Sequence, residues 1–377
     1  MKGLFLSYNS LTGKATGGTL IASRNLNYFK SLDEASFKID VYDSNTILLE
    51  SANRTTEIST VLKNILNFQT PSFNNSFLEI LFARIAKEGV NYIFLDSTLF
   101  GVIAKKIKLK FPSIKIITYS HNVELTSSWH AIRYEFSFKK IYTLIFSFIN
   151  EKYSIKYSDY LIGISSYDDK IYKRIYNRNF DSIIPVTIED KNNIVNEQFG
   201  KNENDRLQIL FVGSYFYPNI HGIKWFIDNV IDNIDADLII VGSGMGVLEK
   251  TYPNHEKVQF YDFVKDLGEY YIKSHIVISP IFIGSGMKVK VAEALMFGKI
   301  IVGTHLAFQG YNIDEANCHI CQSKEDFIRK INDLKYLLKD KIKYSEKARK
   351  TFLKYYSNSN ETKYFLATYN FLNEKLA

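Results

Sequence analysis

The sequence predicts an α/β chain carrying two parallel sheets, each covered by helices on both faces. Three observations point there. Short apolar runs alternate with helical stretches in both halves, a polar break separates the halves, and 377 residues with 46% apolar side chains suffice for two full cores. Only 23% of residues are charged, against 26 Tyr and 28 Phe, which excludes a mostly disordered chain. Two cysteines, Cys318 and Cys321, are too few for a secreted disulfide scaffold.

In chain order, the first series of strands is expected at residues 4–8, 39–42, 92–95, 114–119 and 160–164, with helices at 19–31, 57–66, 77–87 and 99–110. The run Leu4-Phe5-Leu6 ends at Ser7, too short for an export signal and suited to a first strand. No stretch reaches the roughly 18 apolar residues of a spanning helix, so a cytoplasmic protein is expected. Residues 189–206 are polar and without apolar period, and read as a linker or surface excursion. A second series follows, with strands at 207–213, 238–242, 258–261, 276–279 and 300–303 and helices at 222–230, 289–297, 324–338 and 342–355. The expected architecture is two Rossmann-like domains, 1–188 and 207–361, facing each other across a cleft, followed by a last helical stretch within 362–377.

The positive charge is uneven. Residues 1–188 hold 23 Lys/Arg against 16 Asp/Glu, and residues 189–377 hold 24 of each. Lys105, Lys106, Lys108, Lys110 and Lys115 form the clearest cluster, readable as a solvated helix face or as a field for an anionic surface. The segment 134–157 interrupts aromatic and aliphatic residues with lysines. Helical period gathers Phe138, Ile141, Tyr142, Ile145 and Phe148, while Lys139, Lys140, Lys152 and Lys156 flank them. A buried helix pair and a contact with an anionic membrane both fit that pattern.

Gly13, Gly17 and Gly18 follow the first strand at the start of a helical run, where free N–H groups favour an anion; a plain tight turn explains them equally. Neither a G-x-G-x-x-G fingerprint nor a P-loop is present. The second glycine cluster is sharper. Gly284, Ser285, Gly286 and Met287 lead into Lys288, Lys290 and Glu293 as a helix begins. Loop amides, two ammonium groups and a helix N-terminus suit a diphosphate, and Glu293 could accept a sugar hydroxyl. Glu293 could also be a surface acid, but Val289, Val291, Ala292, Leu295 and Met296 around it look buried, and a carboxylate there needs a partner. His121, at the C-terminal end of an expected strand, fits either a satisfied core histidine or an active-site group. Cys318, His319 and Cys321 are one ligand short of a structural zinc site and fit a short strand with incidental cysteines.

The run PIFIGSGMKVKVAEALMFGKIIVGTHLAFQGY (280–311) resembles the nucleotide-sugar site of the retaining GT-B glycosyltransferases of family 4, also called glycosyl transferases group 1. FVGSYFYPNIHGIKWF (211–226) and YSHNVE (119–124) resemble the corresponding family segments, in the expected order. The resemblance implies the GT-B fold, an N-terminal acceptor domain, a C-terminal donor domain and a final helix that crosses back to the first domain. It implies that Glu293 binds the donor ribose, and that Gly284–Gly286, Met287, Lys288, Lys290, Gly213, Gly17 and Gly18 serve the donor. It places His121 near the transferring sugar, with Asn122 and Glu124 shaping that loop. Two departures stand out: Ser285 replaces a family glutamate eight residues before Glu293, and Ser214 stands where an arginine is expected.

The implied reaction moves a sugar from a nucleoside-diphosphate sugar, UDP- or GDP-linked, to a glycan hydroxyl with retention and without a fixed metal or tightly bound cofactor. A lipid-linked acceptor in surface polysaccharide assembly (capsule or lipopolysaccharide) at the inner membrane face is the leading expectation. A catalytically silent GT-B partner subunit is an alternative, which the absent arginine favours. Nucleic-acid binding would explain the basic half but lacks a recognisable module, so no nucleic-acid partner is expected.

Overall fold

The computed structural model describes residues 2–9, 11, 17–31, 38–43, 65–70, 72–192, 206–338 and 344–376. The chain divides into two compact units, Met1–Pro185 with Glu361–Ala377, and Val186–Asn360.

Unit 1 holds the strands β1 (Lys2–Leu6), β2 (Lys38–Tyr42), β3 (Tyr92–Leu95), β4 (Lys115–Ser120), β5 (Tyr160–Gly163) and β6 (Ser182–Ile183). They form one sheet in the order β2-β1-β3-β4-β5-β6, every pairing parallel. The order turns back between β1 and β3, and the C-terminal ends of those strands form a switch point, the place where open α/β sheets bind ligands. The strands are apolar on both faces because helices cover both: Phe5, Leu6, Ile93, Leu95, Ile116 and Ile117 are fully buried.

The helices of this part of the chain are α1 (Gly17–Ser31), α2 (Asn75–Glu88), α3 (Gly101–Lys110), α4 (Glu124–Tyr134), α5 (Phe138–Tyr157) and α6 (Ser166–Tyr176). Asn74 caps α2 by accepting from the Phe77 N–H, and Gly89 closes it in the left-handed region at φ 67°. Ser137 and Ser165 cap α5 and α6 in the same way as Asn74. The helix expected at 57–66 lies outside the described residues except for 65 and 66, which are helical.

The long helix α5 does not bury the face that helical period gathers. Its buried face is Phe146, Ser147, Asn150, Glu151 and Ser154, while Phe138, Ile145 and Phe148 are exposed. Polar contacts explain this. Asn150 Oδ1 accepts the Val102 N–H at 3.0 Å, and Ser154 Oγ donates to the Thr98 carbonyl at 2.8 Å. These bonds satisfy backbone groups at the start of α3 that apolar side chains could not. Trp129, Tyr134 and Phe136 are exposed as well. Among the described residues, no helix is long and apolar enough to cross a membrane.

Unit 2 repeats the plan with β7 (Leu207–Val212), β8 (Ala236–Val241), β9 (Val258–Tyr261), β10 (Ile276–Ser279), β11 (Ile300–Gly303) and β12 (Cys318–Ile320). All are parallel in the order β12-β11-β10-β7-β8-β9, so its switch point lies between β7 and β10. Its helices are α7 (Tyr217–Asn229), α8 (Leu267–Lys273), α9 (Val289–Met296), α10 (Lys324–Leu337) and α11 (Glu346–Tyr355). Helix α7 starts five residues before the expected 222, because Pro218 sits in its first turn, where no N–H is missed. The core joins Ile209, Phe211, Ile223, Phe226, Ile240, Ile278, Val302 and Phe327. Cys318 and Cys321 are free and buried.

The last helix, α12 (Glu361–Leu376), belongs to unit 1. Phe365 stacks on Tyr28 with centroids 3.8 Å apart, and Phe371 packs on Tyr160 at 4.6 Å.

Candidate functional site

In unit 2 the chain leaves β10 at its C-terminal end and enters the glycine loop. Gly284 and Gly286 hold φ of +111° and +70°, a region side chains disfavour, so these two glycines fix the loop's path. Lys288 Nζ donates to the carbonyls of Gly286 (2.5 Å) and Ser285 (3.2 Å), so this ammonium braces the loop. Tyr311 O–H donates to the Lys288 carbonyl at 2.8 Å, and Met287 is buried beneath. No side chain caps α9; the Val291 N–H is taken by the Lys288 carbonyl at 2.8 Å, so the amides ahead of it are the ones an anion would meet. Ser285 Oγ is buried with no hydrogen-bond partner.

Lys290 and Glu293, three residues apart, share one face of α9. Lys290 Nζ donates to Asn219 Oδ1 at 2.8 Å and stands 4.2 Å from the centroid of the Phe211 ring. Burial pushes its pKa down to about 7; Glu293 opposes that shift and Lys288 adds to it. Glu293 Oε2 accepts from Tyr271 O–H at 3.1 Å, and Tyr271 stacks on Phe297 at 4.9 Å. Burial raises the Glu293 carboxyl, opposed by Tyr271, Lys290 and Lys191. A Cβ on Gly213 would lie 3.0 Å from Lys290 Nζ and 2.9 Å from the Asn219 amide, so the end of β7 abuts this cluster. Asn219 also donates to the Ser214 carbonyl at 3.0 Å. At the position that lacks the expected arginine, Asn219 thus links the β7–α7 turn to Lys290.

Unit 1 gathers a second group at the C-terminal ends of β1, β3 and β4. His121 Nε2 faces two acceptors, the Asp96 carbonyl at 2.9 Å and Asp96 Oδ1 at 3.1 Å. Those acceptors place a proton on Nε2, and Nδ1 is buried with no hydrogen-bond partner. Asp96 is itself held by Ser7 Oγ (3.0 Å) and Asn25 Nδ2 (2.7 Å). Asn122 Oδ1 is likewise buried without a partner. The Glu124 carboxyl is pushed up to about 8 by burial and by the nearby Glu151, with an Asn122 hydrogen bond opposing. Gly17 and Gly18 open α1; a Cβ on Gly18 would meet Asn9 Oδ1 at 2.7 Å, so the turn after β1 closes on the helix there. The structure brings His121, Asn122 and Glu124 together in unit 1, and Gly213, Gly284–Gly286, Lys288, Lys290 and Glu293 together in unit 2.

Sequence reasoning missed the partners: Asp96 of His121, Glu151 of Glu124, Tyr271 of Glu293 and Asn219 of Lys290. Only Asn219 lay inside a quoted motif. Among the described residues, no group of three or more His, Cys, Asp and Glu is placed to hold a metal ion. Burial raises Cys318 to about 12 and Cys321 to about 11, so both are thiols at neutral pH.

Residues 206–335 match the family model described as Glycosyl transferases group 1. No curated protein matches the chain. Solved structures resemble it over nearly its whole length. A glycosyltransferase from Rickettsia africae is 15% identical with a TM-score of 0.63, over 97% of this chain and 98% of that one. Anabaena Alr3699/HepE, solved with UDP and glucose, is 11% identical with a TM-score of 0.66, over 98% and 99%. TarM is 10% identical with a TM-score of 0.64, over 100% and 99%. At such identities the likeness is one of fold. The chain has the GT-B fold, and its residues 206–335 match the glycosyl transferases group 1 family.

Proposed function

We propose that this protein takes a nucleoside-diphosphate sugar as donor and moves the sugar, with retention, to a hydroxyl of a lipid-linked glycan acceptor during surface polysaccharide assembly. The observation that carries the reading is the placing of Lys290 and Glu293 on one face of α9, held by Asn219 and Tyr271, beside the loop fixed by Gly284 and Gly286 and inside the segment that matches the family. In glycosyl transfer, negative charge grows on the departing diphosphate. Amides of the loop and of the first turn of α9, with the Lys290 ammonium, would stabilise that charge. Lys288 would act mainly by holding the loop. Glu293 would accept the ribose hydroxyls, and Tyr271 fixes its orientation. Gly17 and Gly18, at the start of α1, would let a phosphate approach the backbone there. His121 Nδ1, buried without a partner, would take a hydroxyl proton of the transferring sugar in a hydrogen bond, with Asn122 and Glu124 alongside.

Membrane contact is the finer part of the proposal. Trp129, Phe136, Phe138, Ile145 and Phe148 are exposed on α4 and α5 and the turn between them, and Arg133, Lys139 and Lys152 are exposed on the same helices. Apolar side chains flanked by cations suit an anionic lipid surface. The protein would then work at the cytoplasmic face of the membrane.

Calorimetric titration with UDP, GDP and their sugars, followed by mass analysis of products on lipid-linked acceptors, tests the reading. Binding of one nucleotide and a product heavier by one sugar are expected. Absence of any nucleotide binding to the folded protein would remove the donor site, and binding without turnover on any acceptor would favour the silent subunit. Sedimentation with phosphatidylglycerol vesicles at low salt tests the membrane part; a protein that stays in the supernatant has no such contact.

A further inference from the structure

Glu151 lies in the interior of α5 with no exposed surface, yet among the described residues no cation contacts it. Both of its oxygens are filled by donors. Oε1 accepts the Glu124 N–H at 2.7 Å and the Tyr172 O–H at 2.8 Å; Oε2 accepts the Leu125 N–H at 3.1 Å and the Tyr176 O–H at 2.6 Å. Glu124 and Leu125 are the first two residues of α4, whose amides have no acceptor within the helix. Position 123 is a valine and cannot cap. The cap therefore comes from a carboxylate 27 residues along the chain, its charge aligned with the helix dipole.

The same network reaches the other end of the loop. Ser120 Oγ donates to the Asn122 carbonyl at 2.8 Å and contacts the Tyr172 hydroxyl at 3.4 Å. Tyr172 thus joins Glu151 to Ser120, and residues 120–125 are gripped at both ends. His121, Asn122 and Glu124 lie between. A serine or asparagine at 123 would cap α4 without burying a charge, so the charge itself calls for a use.

We propose that Glu151 is a positioning residue for the sugar transfer, a buried anion that holds residues 120–125 in one geometry and keeps the Glu124 side chain a hydrogen-bond donor. This rests on the transferase reading. Burial pushes Glu151 up and its four donors oppose that push, whereas the Glu124 carboxyl is opposed only by Asn122. Four donors occupy both Glu151 oxygens and leave no position for a proton there, so the proton of the pair is placed on Glu124. Among the described residues, the titratable groups facing the pair are Tyr172 and Tyr176 from α6 and Tyr8 after β1, with no lysine or arginine. Residues 121–124 then present one O–H donor beside two buried atoms without partners, His121 Nδ1 and Asn122 Oδ1. A vicinal pair of sugar hydroxyls offers the complementary set.

The experiment uses the full chain. In the wild type, backbone exchange should show the Glu124 and Leu125 amides protected, although first-turn amides of a helix are ordinarily open. A carbon-13 titration of glutamate carboxyls, with Glu124→Gln to assign the signal, should show Glu124 titrating above neutrality. In Glu151→Gln that midpoint should fall by about one unit or more, because the neighbouring charge is gone, while Tyr176→Phe, which keeps the charge, leaves it high. UDP titration of the same samples reads unit 2 separately, and Glu151→Gln should bind UDP as the wild type does. Unprotected amides, or a wild-type Glu124 titrating in the ordinary carboxyl range, overturns the proposal even where Glu151→Gln does not fold. An unmoved midpoint in folded Glu151→Gln also overturns it. A wild type that binds no nucleotide overturns the role in transfer, and the carboxyl and exchange data still show whether Glu151 holds the loop.

Discussion

The two groups of candidate residues handle buried charge in opposite ways. In unit 2 a lysine and a glutamate share one face of α9, and each offsets the other's desolvation. In unit 1 two glutamates approach each other without a cation, so one proton is retained at neutral pH. The unlike pair comes from four consecutive residues. The like pair comes from two helices and is completed by tyrosines on a third. Ligand demands account for the contrast. A diphosphate calls for a cation that recovers its proton when the ligand arrives, whereas a neutral sugar calls for neutral donors and acceptors held still.

The largest expected effect sharpens this contrast through pH. Glu124 is raised from an ordinary 4.5 to about 8. The folded state therefore binds more protons than the unfolded state across that window. The contribution is fully present below about 4.5 and is lost as pH climbs through about 8, a decline on the order of 5 kcal/mol. Lys290 runs the other way. Its folded value of about 7 lies below the ordinary 10.5, so its burial penalty is complete below 7 and fades as pH rises toward 10.5. Urea unfolding at pH 5, 7 and 9 should show the Glu124→Gln variant losing less stability with rising pH than the wild type. Parallel curves for the two proteins would mean that Glu124 carries no retained proton.

Next in size is the donor carboxylate. Glu293→Ala should lower kcat/KM by about 30- to 150-fold, corresponding to about 2–3 kcal/mol for a lost hydrogen bond to a charged group. Its thermal midpoint should stay level or rise, since burial disfavours the Glu293 charge. A folded variant with wild-type kinetics would detach Glu293 from the donor.

A third effect follows from the lowered Lys290. Above pH 7 its amine is largely neutral, and a bound diphosphate would restore the charge. UDP binding at pH 8 should therefore take up close to one proton, and at pH 6 almost none, as read by calorimetry in buffers of different ionisation heat. Lys290→Met should abolish the uptake and weaken binding by about 2 kcal/mol.

The sequence made these two regions unequally legible. Strands β3, β10 and β11 follow from continuous apolar runs, and their expected bounds match, as do those of β9, whose run Gln259 interrupts. The donor loop is legible because its glycines, lysines and acid are contiguous and their backbone demands are local. Helices α4, α6 and α8 were not assigned, since their apolar residues are few and tertiary hydrogen bonds hold them. The α5 face was legible as a set but not in its direction. Period gathered Phe138 and Ile145 without choosing between a buried helix pair and a membrane contact; backbone groups of α3 and α4 needed partners, and Asn150 and Glu151 supply them from the buried face. No spacing rule connects Glu151 with Glu124, or Asp96 with His121; only the order of strands in the sheet does.

The smallest effect probes how tightly β7 abuts the unlike pair. Gly213 has an ordinary backbone, so Gly213→Ala meets no conformational strain, and its methyl would meet only side chains: the Asn219 amide at 2.9 Å and Lys290 Nζ at 3.0 Å. Both side chains can yield by a few tenths of an ångström. The fold should therefore lose less than about 1 kcal/mol. The ammonium, however, must move or turn from Asn219, and its place is what a diphosphate would read. UDP affinity should fall by about three- to tenfold, more than the stability change suggests. Introducing Asn219→Ala in the same chain relieves one of the two contacts and should recover part of that loss. If Gly213→Ala binds UDP as the wild type does, the end of β7 does not set the position of Lys290. The diphosphate would then be held by the glycine loop and the first turn of α9 alone.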